Sequence, residues 1–457
     1  MKNPIKIVTP GIDGGEGMPV CTWKRLAGAR LALVLFSMVG LSSAAWSQAL
    51  PAAEASPAST GFSLPTTSGT LQYAVSASQS LTWGYYGSGV ATSTNLTGDL
   101  AYLSSSSRNP FSVVAAGGRS WGNLGQPSYN FVSLALSQVI NVGRWEFLLS
   151  DNTDYLPSTP TTGISGIPGL GDLGLTPVQA GIPSAPQGVL SDFADRVDET
   201  GSLSIQRQIT GKTSANASGS YTISRYVGNA SLGIDSDSAS GSIGMMHQYS
   251  VRNGLGGNYA YSSYKFVGYL FGIPAADFVS QTASAIYTHS FTRRLMGTAS
   301  VGPQWTTIDY LGKTTSLGLF ADVSASYTGK ESSQSFSFVR GTNSGYGVIG
   351  GSISDGLNYT ATKTFSRVLT GAFTASYTHS ASLPTPGLPT YRFDTTLLGV
   401  QVSRALGRSL SCYGSYTFED QSNQGSALTA INVFSGRANI LGFGITYAPM
   451  ALHVGHP

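Results

Sequence analysis

Charged residues are scarce in this sequence. Only 10% of its 457 residues are Asp, Glu, Lys or Arg, whereas ordinary globular chains carry about 25%. Hydrophobic residues make up 41% of the chain and recur in regular alternation, which argues against a disordered protein. We therefore expect a folded protein whose surface carries unusually few charged side chains.

Cysteine is also nearly absent. Cys21 lies before the first apolar segment, and Cys412 is the lone cysteine of the remaining sequence. A single cysteine forms neither an internal disulfide nor a clustered metal site. We predict no metal centre, and the apolar or small alternating neighbours of Cys412, Leu410 and Gly414, favour a small lipid-facing side chain at this position.

Long apolar runs are missing except near the N-terminus, where residues 1–49 are predicted to be a secretory signal peptide with an extended basic region. Basic residues precede an apolar run over residues 31–41, and small residues lead to a cleavage site after Ala49. The apolar run is shorter than the roughly 20 residues that a membrane-spanning helix needs. Met18 is an alternative start of the chain.

Cleavage after Ala49 would remove five of the 25 basic and two of the 22 acidic residues, which leaves 20 of each. A formally neutral mature chain gives no reason to expect nucleic-acid binding. Residues 50–69, rich in Pro, Ala and Ser, are predicted to be a flexible periplasmic linker. No later segment is apolar over a long enough run for a helical membrane span.

The stretch LGLFADVSASYTG, residues 317–329, shows what is abundant instead. Successive side chains of a β-strand point to opposite faces, so the two alternating sets of this stretch form two surfaces. One surface is apolar and the other holds small hydroxyls and one carboxylate. The apolar set is Leu317, Leu319, Ala321, Val323, Ala325 and Tyr327, and the other set is Gly318, Phe320, Asp322, Ser324, Ser326 and Thr328.

This alternation recurs along the sequence, for example in LTGAFTASYTH (369–379) and SANASGSYTIS (214–224). We count about 18 such segments, with 16 to 20 as the range, each about ten or more residues long. That length crosses a membrane when the strand is tilted. The segments cover residues 70–448, and residues 449–457 are predicted to be a C-terminal tail.

The connections between these segments alternate between short and long. Short ones such as TGK and LGRS often carry a basic residue, whereas long ones include SLPTPGLPT and a Gly/Pro-rich stretch over residues 155–197. Short turns at one rim and long loops at the other are typical of outer-membrane barrels, whose turns lie in the periplasm. Both chain ends then lie on the turn side, as an even strand number requires.

Aromatic residues mark two levels along the predicted strands. Rings with a polar tip favour the membrane interface, and barrels carry such girdles at both interfaces. We assign Tyr287, Tyr327 and Tyr447 to the turn-side girdle, and Trp305, Tyr377, Tyr416 and Phe418 to the loop-side girdle.

With these features the chain resembles the bacterial outer-membrane β-barrels of porin type. The resemblance implies an all-β, transmembrane, antiparallel up-and-down barrel, reached by export through the inner membrane of a Gram-negative-type bacterium. It further implies contact with outer-membrane lipid, insertion by the barrel-assembly machinery, and compatibility with a homo-oligomer. The sequence departs from the usual pattern at its end, where Tyr447 is followed by APMALHVGHP instead of ending on a terminal aromatic residue.

A barrel of this size leaves an aqueous channel unless something plugs it, so passive diffusion of small polar solutes is the leading functional prediction. Charged wall residues would set ion selectivity. Because both signs occur among the candidates, we predict weak selectivity. The lumen-lining candidates are Glu146, Asp322 and Glu419, with Arg392 and Asp394 near the loop rim.

The long loop 155–197 has two interpretations. It folds into the lumen and narrows the pore, or it forms a surface lid or a disordered loop, since functional loops are often long and long loops are often mobile. The constriction-loop candidates are Ile164, Ile167, Leu170, Asp172 and Leu173.

Two other classes of function stay open. A plugged structural or adhesive surface barrel would use the same strands. An outer-membrane barrel enzyme is disfavoured, because His289 and His379 are predicted at opposite rims and no Ser–His or acid–His set converges at one depth. We predict no catalytic residues, no metal and no organic cofactor.

Overall fold

The computed structural model describes residues 69–84, 89–104, 106, 108–123, 128–158, 194–227, 234–267, 269–270, 273–274, 276–309, 312–345, 350–384, 390–424 and 435–454. The predicted signal peptide 1–49, nearly all of the linker 50–69 and the core of the long loop, residues 159–193, lie outside the described residues. No helix in the described part of the chain is long and apolar enough to span a bilayer.

The described chain is built almost entirely of long antiparallel strands, which we number β1 to β18. They are β1 Gly69–Trp83, β2 Val90–Ser104, β3 Phe111–Asn123, β4 Tyr129–Val142, β5 Trp145–Ser158, β6 Ala194–Thr210, β7 Thr213–Val227, β8 Asp235–Gln248, β9 Asn253–Val267, β10 Asp277–Ser290, β11 Leu295–Asp309, β12 Lys313–Thr328, β13 Ser332–Asn343, β14 Ser352–Ser366, β15 Leu369–Ser382, β16 Arg392–Ala405, β17 Leu410–Gln424 and β18 Gly436–Tyr447. A two-residue pair, Tyr269–Leu270 with Ile273–Pro274, follows β9.

Each strand pairs with the next one along the chain, and β18 pairs with β1, which closes the sheet. The closing register joins Val75 to Tyr447 at one end and Trp83 to Asn439 at the other. Closure leaves no free edge between the first and last strands, as a membrane-spanning sheet requires. The prediction of an up-and-down barrel of about 18 strands is confirmed.

The chain returns to the sheet after β18. A short strand, Leu452–Val454, lies within the predicted tail and pairs with Gly69–Leu71 at the start of β1. Residues that follow the predicted end of the barrel at 448 therefore continue the closing seam after a short interruption.

Alternation along each strand separates the inside of the barrel from the outside. On β2, the side chains at odd positions such as Asn95 and Thr97 are buried, whereas Leu96 and Leu100 between them are exposed. On β8, Ser242 is buried and Ile243 next to it is 63% exposed. The exposed apolar set forms the outer surface, which suits lipid, and the small polar set faces inward.

Glycines on the inner face make room for large inward side chains. A Cβ atom added to Gly444 on β18 would lie 2.4 Å from the ring of Tyr413 on β17. A Cβ atom on Gly118 of β3 would similarly lie 2.7 Å from the ring of Phe131 on β4. An aromatic ring over a glycine fills the space that the missing side chain leaves in a sheet.

The neighbouring strands β12 and β13 pair over only part of their length. Pairing between β12 and β13 ends at Ala321 with Arg340, although β12 begins eight residues earlier, at Lys313. Residues 313–320 keep their pairing with β11 on the other side. In the described chain, this stretch of β12 therefore has no strand partner on its β13 side.

Candidate functional site

The inner wall of the barrel is lined mainly by hydroxyl groups that pair across neighbouring strands. Ser218 and Ser242 are joined at 2.8 Å, and Ser112 and Ser137 at 2.7 Å. At the closing seam, Thr446 donates to Ser76 at 3.1 Å. Hydroxyl groups both donate and accept hydrogen bonds, so this wall suits water and small polar solutes.

Charged residues on the inward face of the described strands are mostly acidic. The strand register defines this face, because inward residues lie opposite inward residues around the whole sheet. Three of the sequence-predicted lumen candidates, Glu146, Asp322 and Glu419, lie on this face. The six inward acids on the described strands are Asp99, Glu146, Asp154, Asp198, Asp322 and Glu419, and the one inward base is Arg196.

The other two lumen candidates, Arg392 and Asp394, are on the wrong face for that role. Both have outward positions on β16, opposite Gln424 and Ser422 of β17. Asp394 accepts hydrogen bonds from the Tyr377 hydroxyl at 2.7 Å and from His379 Nδ1 at 2.8 Å on the outer surface. The prediction that Arg392 and Asp394 line the lumen near the loop rim is wrong, because it assigned the first residues of β16 to the inward face.

The outer face holds the rest of the strand charges, in equal numbers of each sign. Several of them pair across strands, such as Arg225 with Asp237 at 2.6 Å and Arg340 with Asp355 at 2.8 Å. The outward bases on the described strands are Arg119, Arg207, Arg225, Lys265, Lys313, Arg340, Lys363, Arg392, Arg404 and Arg437, and the outward acids are Asp151, Asp195, Glu199, Asp235, Asp237, Asp277, Asp309, Asp355, Asp394 and Asp420.

Glu419 differs from the other inward acids. Its side chain is 0% exposed, and neither carboxylate oxygen has a hydrogen-bond partner within the described residues. Its cross-strand neighbours are Leu397 on β16 and Ala438 on β18. By contrast, Asp198 bonds both Arg196 and Ser224.

The loop-side ends of β13 and β14 lie inside the barrel. We call the paired residues Gly341–Asn343 and Ser352–Ser354 the inner hairpin end. Thr342 belongs to the outward face of β13, yet its hydroxyl accepts a hydrogen bond from Nε2 of Gln304 at 3.1 Å. Gln304 is an inward residue of β11 and also donates to Ser280 of β10. The outward face of the inner hairpin end thus lies against the inward face of the nearby strands β10 and β11.

Apolar contacts hold the inner hairpin end in this position. Ile353, directly opposite Thr342, packs against a buried cluster that includes Phe278 and Ile308. Gly351 just before it has a φ of 91°, and a Cβ atom there would lie 2.5 Å from the ring of Phe278. Phe278 and Ile308 are 2% and 3% exposed. These contacts hold the inner hairpin end against β10 and β11 on the loop side of the barrel.

The seven aromatic girdle candidates all have outward positions in the strand register. Tyr287, Tyr327 and Tyr447 lie near the turn-side ends of β10, β12 and β18. Trp305, Tyr377 and Phe418 lie in the loop-side halves of β11, β15 and β17, whereas Tyr416 lies at the middle of β17. The constriction-loop candidates Ile164, Ile167, Leu170, Asp172 and Leu173 lie outside the described residues.

The histidines of β8, β10 and β15 also point outward. His247 contacts Thr213, His289 contacts Asn253, and His379 contacts Asp394, all on the outer surface. Among the described residues, no group of three or more His, Cys, Asp or Glu is placed to hold a metal ion.

Sequence reasoning missed three inward acids and the inner hairpin end. Asp99, Asp154 and Asp198 follow the same alternation as Asp322, so extending the register through β2, β5 and β6 would have found them. The inner hairpin end leaves no distinctive signal. The outward positions of β13 change from Phe336 and Phe338 to Arg340 and Thr342, but polar residues are also expected where a strand leaves the apolar band of the membrane.

No family model and no curated protein matches the sequence. The structure is similar to the outer membrane protein opdK from Pseudomonas aeruginosa, with a TM-score of 0.40, 9% identity, and coverage of 84% of this chain and 99% of that one. It is also similar to Pseudomonas aeruginosa OccK2 (OpdF) in complex with glucuronate, with a TM-score of 0.42, 11% identity, and coverage of 84% and 98%. The ferric-catecholate import receptor Fiu from E. coli K12 has a TM-score of 0.37 at 12% identity over 83% and 81%. Structural similarity at these identities and TM-scores does not identify the solute of this chain.

Proposed function

We propose that this chain is an outer-membrane channel through which small polar solutes diffuse passively. The observation that carries the proposal is a closed sheet of 18 strands with small hydroxyl side chains inside and an apolar surface outside. Barrels of 16 to 18 strands are wide enough to enclose an aqueous channel, and barrels of this kind occupy bacterial outer membranes.

The test uses the purified, refolded mature chain in a planar bilayer and in liposomes. We expect stepwise single-channel conductance and swelling of liposomes in isotonic solutions of small sugars. A barrel that refolds, judged by a heat-dependent shift in electrophoretic mobility, but shows neither conductance nor swelling would contradict the channel. That result would favour the plugged structural or adhesive barrel.

We further propose that the inner hairpin end narrows the channel on the loop side. Gln304 and Thr342 touch through their side chains, so cysteines at both positions can be joined by a short, reducible bis-thiol crosslinker. The variant carries Gln304→Cys and Thr342→Cys together with Cys412→Ala. Crosslinking should hold the hairpin end inside and keep conductance at its lowest level, and reduction should let it fluctuate to higher levels.

The matched control is Thr342→Cys with Cys412→Ala, treated with the same crosslinker. If crosslinked and reduced forms of the double variant conduct alike, the hairpin end is not the narrowing element. The Gly/Pro-rich loop is then the remaining candidate, and deletion of residues 161–175 is expected to raise conductance.

Enzymatic activity is not part of the proposal. The outward directions of His247, His289 and His379 leave the inward hydroxyls of the described strands without a histidine base from β8, β10 or β15. Labelling of the refolded barrel by an active-site-directed serine probe would contradict this inference.

A further inference from the structure

Each of the eight short turns of the barrel carries at least one basic residue. The turns hold nine bases and one acid, Glu331, and all ten of these residues are exposed. The turn-side rim therefore has a large excess of positive charge. The turn bases are Arg108, Arg144, Lys212, Arg252, Arg293, Arg294, Lys330, Arg367 and Arg408.

The outer face of the strands adds to this excess at the same rim. Arg207, Lys363 and Arg404 are outward residues within the last four positions of β6, β14 and β16. None of the ten outward acids of the described strands lies as close to a turn, and the nearest, Asp151, is in the middle of β5. Positive charge is thus concentrated on the turn side of the outer surface.

The turn bases remain available to an anion outside the protein. Within the described residues, Arg252, Arg294 and Arg367 form no ion pair. Arg144 donates through Nη1 to the backbone carbonyl of Ile209 at 3.4 Å, which uses one of the five N–H groups of a guanidinium.

Exposed apolar side chains accompany the bases in the same turns. Phe291 comes two residues before Arg293, and Leu406 comes two residues before Arg408. Apolar residues next to bases are typical of segments that lie at a membrane surface, where the apolar groups reach the acyl chains and the bases attract anionic lipid. A purely polar anion would gain nothing from these apolar groups. The exposed apolar residues of the turns are Tyr249, Val251, Phe291, Val368 and Leu406.

The turns lie at the depth of the lipid headgroups. Lys330 follows the girdle residue Tyr327 by three positions, which is about 10 Å along an extended strand and about 8 Å along the membrane normal at a strand tilt of about 40°. The headgroup layer is about 5 to 8 Å thick on each side of the hydrocarbon core. A lysine or arginine in the turns therefore reaches the phosphate groups.

We propose that the turn-side rim is a docking surface for anionic phospholipid headgroups, such as phosphatidylglycerol, in the inner leaflet of the outer membrane. The turn bases bind the phosphates and the exposed apolar residues of the turns contact the upper acyl chains. This inference goes beyond the channel function and does not depend on whether the lumen conducts.

The test is native mass spectrometry of the refolded mature barrel in an equimolar mixture of phosphatidylglycerol and phosphatidylcholine with identical acyl chains. The two lipids differ only in their headgroups, so the ratio of bound lipids measures the preference for an anionic one. We expect phosphatidylglycerol to be retained about fivefold over phosphatidylcholine, since one base near an anionic membrane surface contributes about 1 kcal/mol. A ratio of one in the wild-type barrel would overturn the proposal.

Two matched variants neutralise four exposed bases each, at opposite ends of the strands. The turn-side variant should lower the ratio about twofold or more, because five turn bases remain. The loop-side variant should leave the ratio unchanged. The turn-side variant combines Arg252→Gln, Arg294→Gln, Arg367→Gln and Arg408→Gln, and the loop-side variant combines Arg119→Gln, Lys265→Gln, Lys313→Gln and Arg392→Gln.

An equal decrease in both variants would overturn the proposal, since any loss of positive charge would then suffice. Binding of the wild-type barrel to purified cell-wall sacculi, together with a lipid ratio of one, would assign the rim to that polymer instead. If the turn-side variant does not refold, the wild-type ratio is measured at rising ammonium acetate concentration. It should fall as the Debye length shrinks from about 10 Å at 0.1 M to about 3 Å at 1 M, and a ratio independent of salt would contradict the proposal.

Discussion

Two seams of the barrel wall, the junctions β1–β18 and β12–β13, differ in how completely their strands pair. The seam between strands far apart in the sequence is the more complete one. Where β1 meets β18, strands from opposite ends of the chain pair from Val75 to Trp83 and resume pairing through Leu452–Val454. At the β12–β13 seam, a three-residue turn joins the two strands. Their pairing nevertheless ends at Ala321 with Arg340, and the strands are unpaired from there toward the loop side. A short turn between two strands therefore does not guarantee that they pair over their full length.

The difference between the two seams reflects whether other contacts can replace the backbone hydrogen bonds between the strands. At the β1–β18 seam, no alternative partner compensates for an open edge, so the backbone groups must pair with each other. At the β12–β13 seam, the inner hairpin end gains buried contacts with Phe278 and Ile308 and a hydrogen bond with Gln304. These contacts offset the loss of pairing along residues 313–320 of β12.

The largest expected effect follows from removing the apolar contacts at the β12–β13 seam. Phe278→Ala truncates a side chain that is 2% exposed, and such a truncation costs about 3–5 kcal/mol. We expect the inner hairpin end to leave the lumen and β13 to extend its pairing with β12. Hydrogen exchange should then show protection of the amides of residues 313–320, together with a higher single-channel conductance.

The control for this variant is Phe373→Ala, which removes an outward ring from β15. It should change neither reading. Unchanged exchange and unchanged conductance in refolded Phe278→Ala would show that the cluster does not hold the hairpin end inside.

A smaller effect is expected from placing a charge on the lipid side of the β1–β18 seam. Phe443 on β18 is 54% exposed on the outer face, and Phe443→Arg should lower the free energy of unfolding by about 2 kcal/mol, since a cation is costly in lipid. Ser415→Arg, on the inward face of β17, is the matched comparison. Urea titration in liposomes should show a lower midpoint for the first variant only.

The smallest effect is expected from shortening the same seam. A chain that ends at Ala448 lacks Leu452–Val454 and its pairing with the start of β1. We expect the barrel to close, with the free energy of unfolding lowered by about 1 kcal/mol, as for the loss of a backbone hydrogen bond. An unchanged urea midpoint would mean that the short strand adds nothing to closure.

Much of this architecture could be predicted from the alternation of side chains. In LGLFADVSASYTG, the apolar set from Leu317 to Tyr327 lies outward and Asp322 lies inward, as the two-residue period requires. The same period, with the contrast between short and long connections, predicts the number of strands and the closure. Arg392 and Asp394 were misassigned because a strand end, where few residues show the period, defines its face poorly.

The inner hairpin end could not be predicted in this way. Thr342 and Ile353 continue the outward face of β13 and β14, and only the contact of the hairpin end with β10 and β11 makes that face a buried one. The alternation predicts that the adjacent acids Glu419 and Asp420 point to opposite faces. Only the strand pairing shows that Leu397 and Ala438 lie beside Glu419, and that Thr396 and Arg437 lie beside Asp420.

The sequence by itself determined that a sheet forms, that it has two unlike surfaces, and that it closes, because these features follow from a two-residue period and from the need to pair every backbone group in lipid. The tertiary structure alone decided where the wall folds inward and which side chains meet there. Those features depend on contacts between residues far apart in the chain, such as Gln304 with Thr342, and no local pattern encodes them.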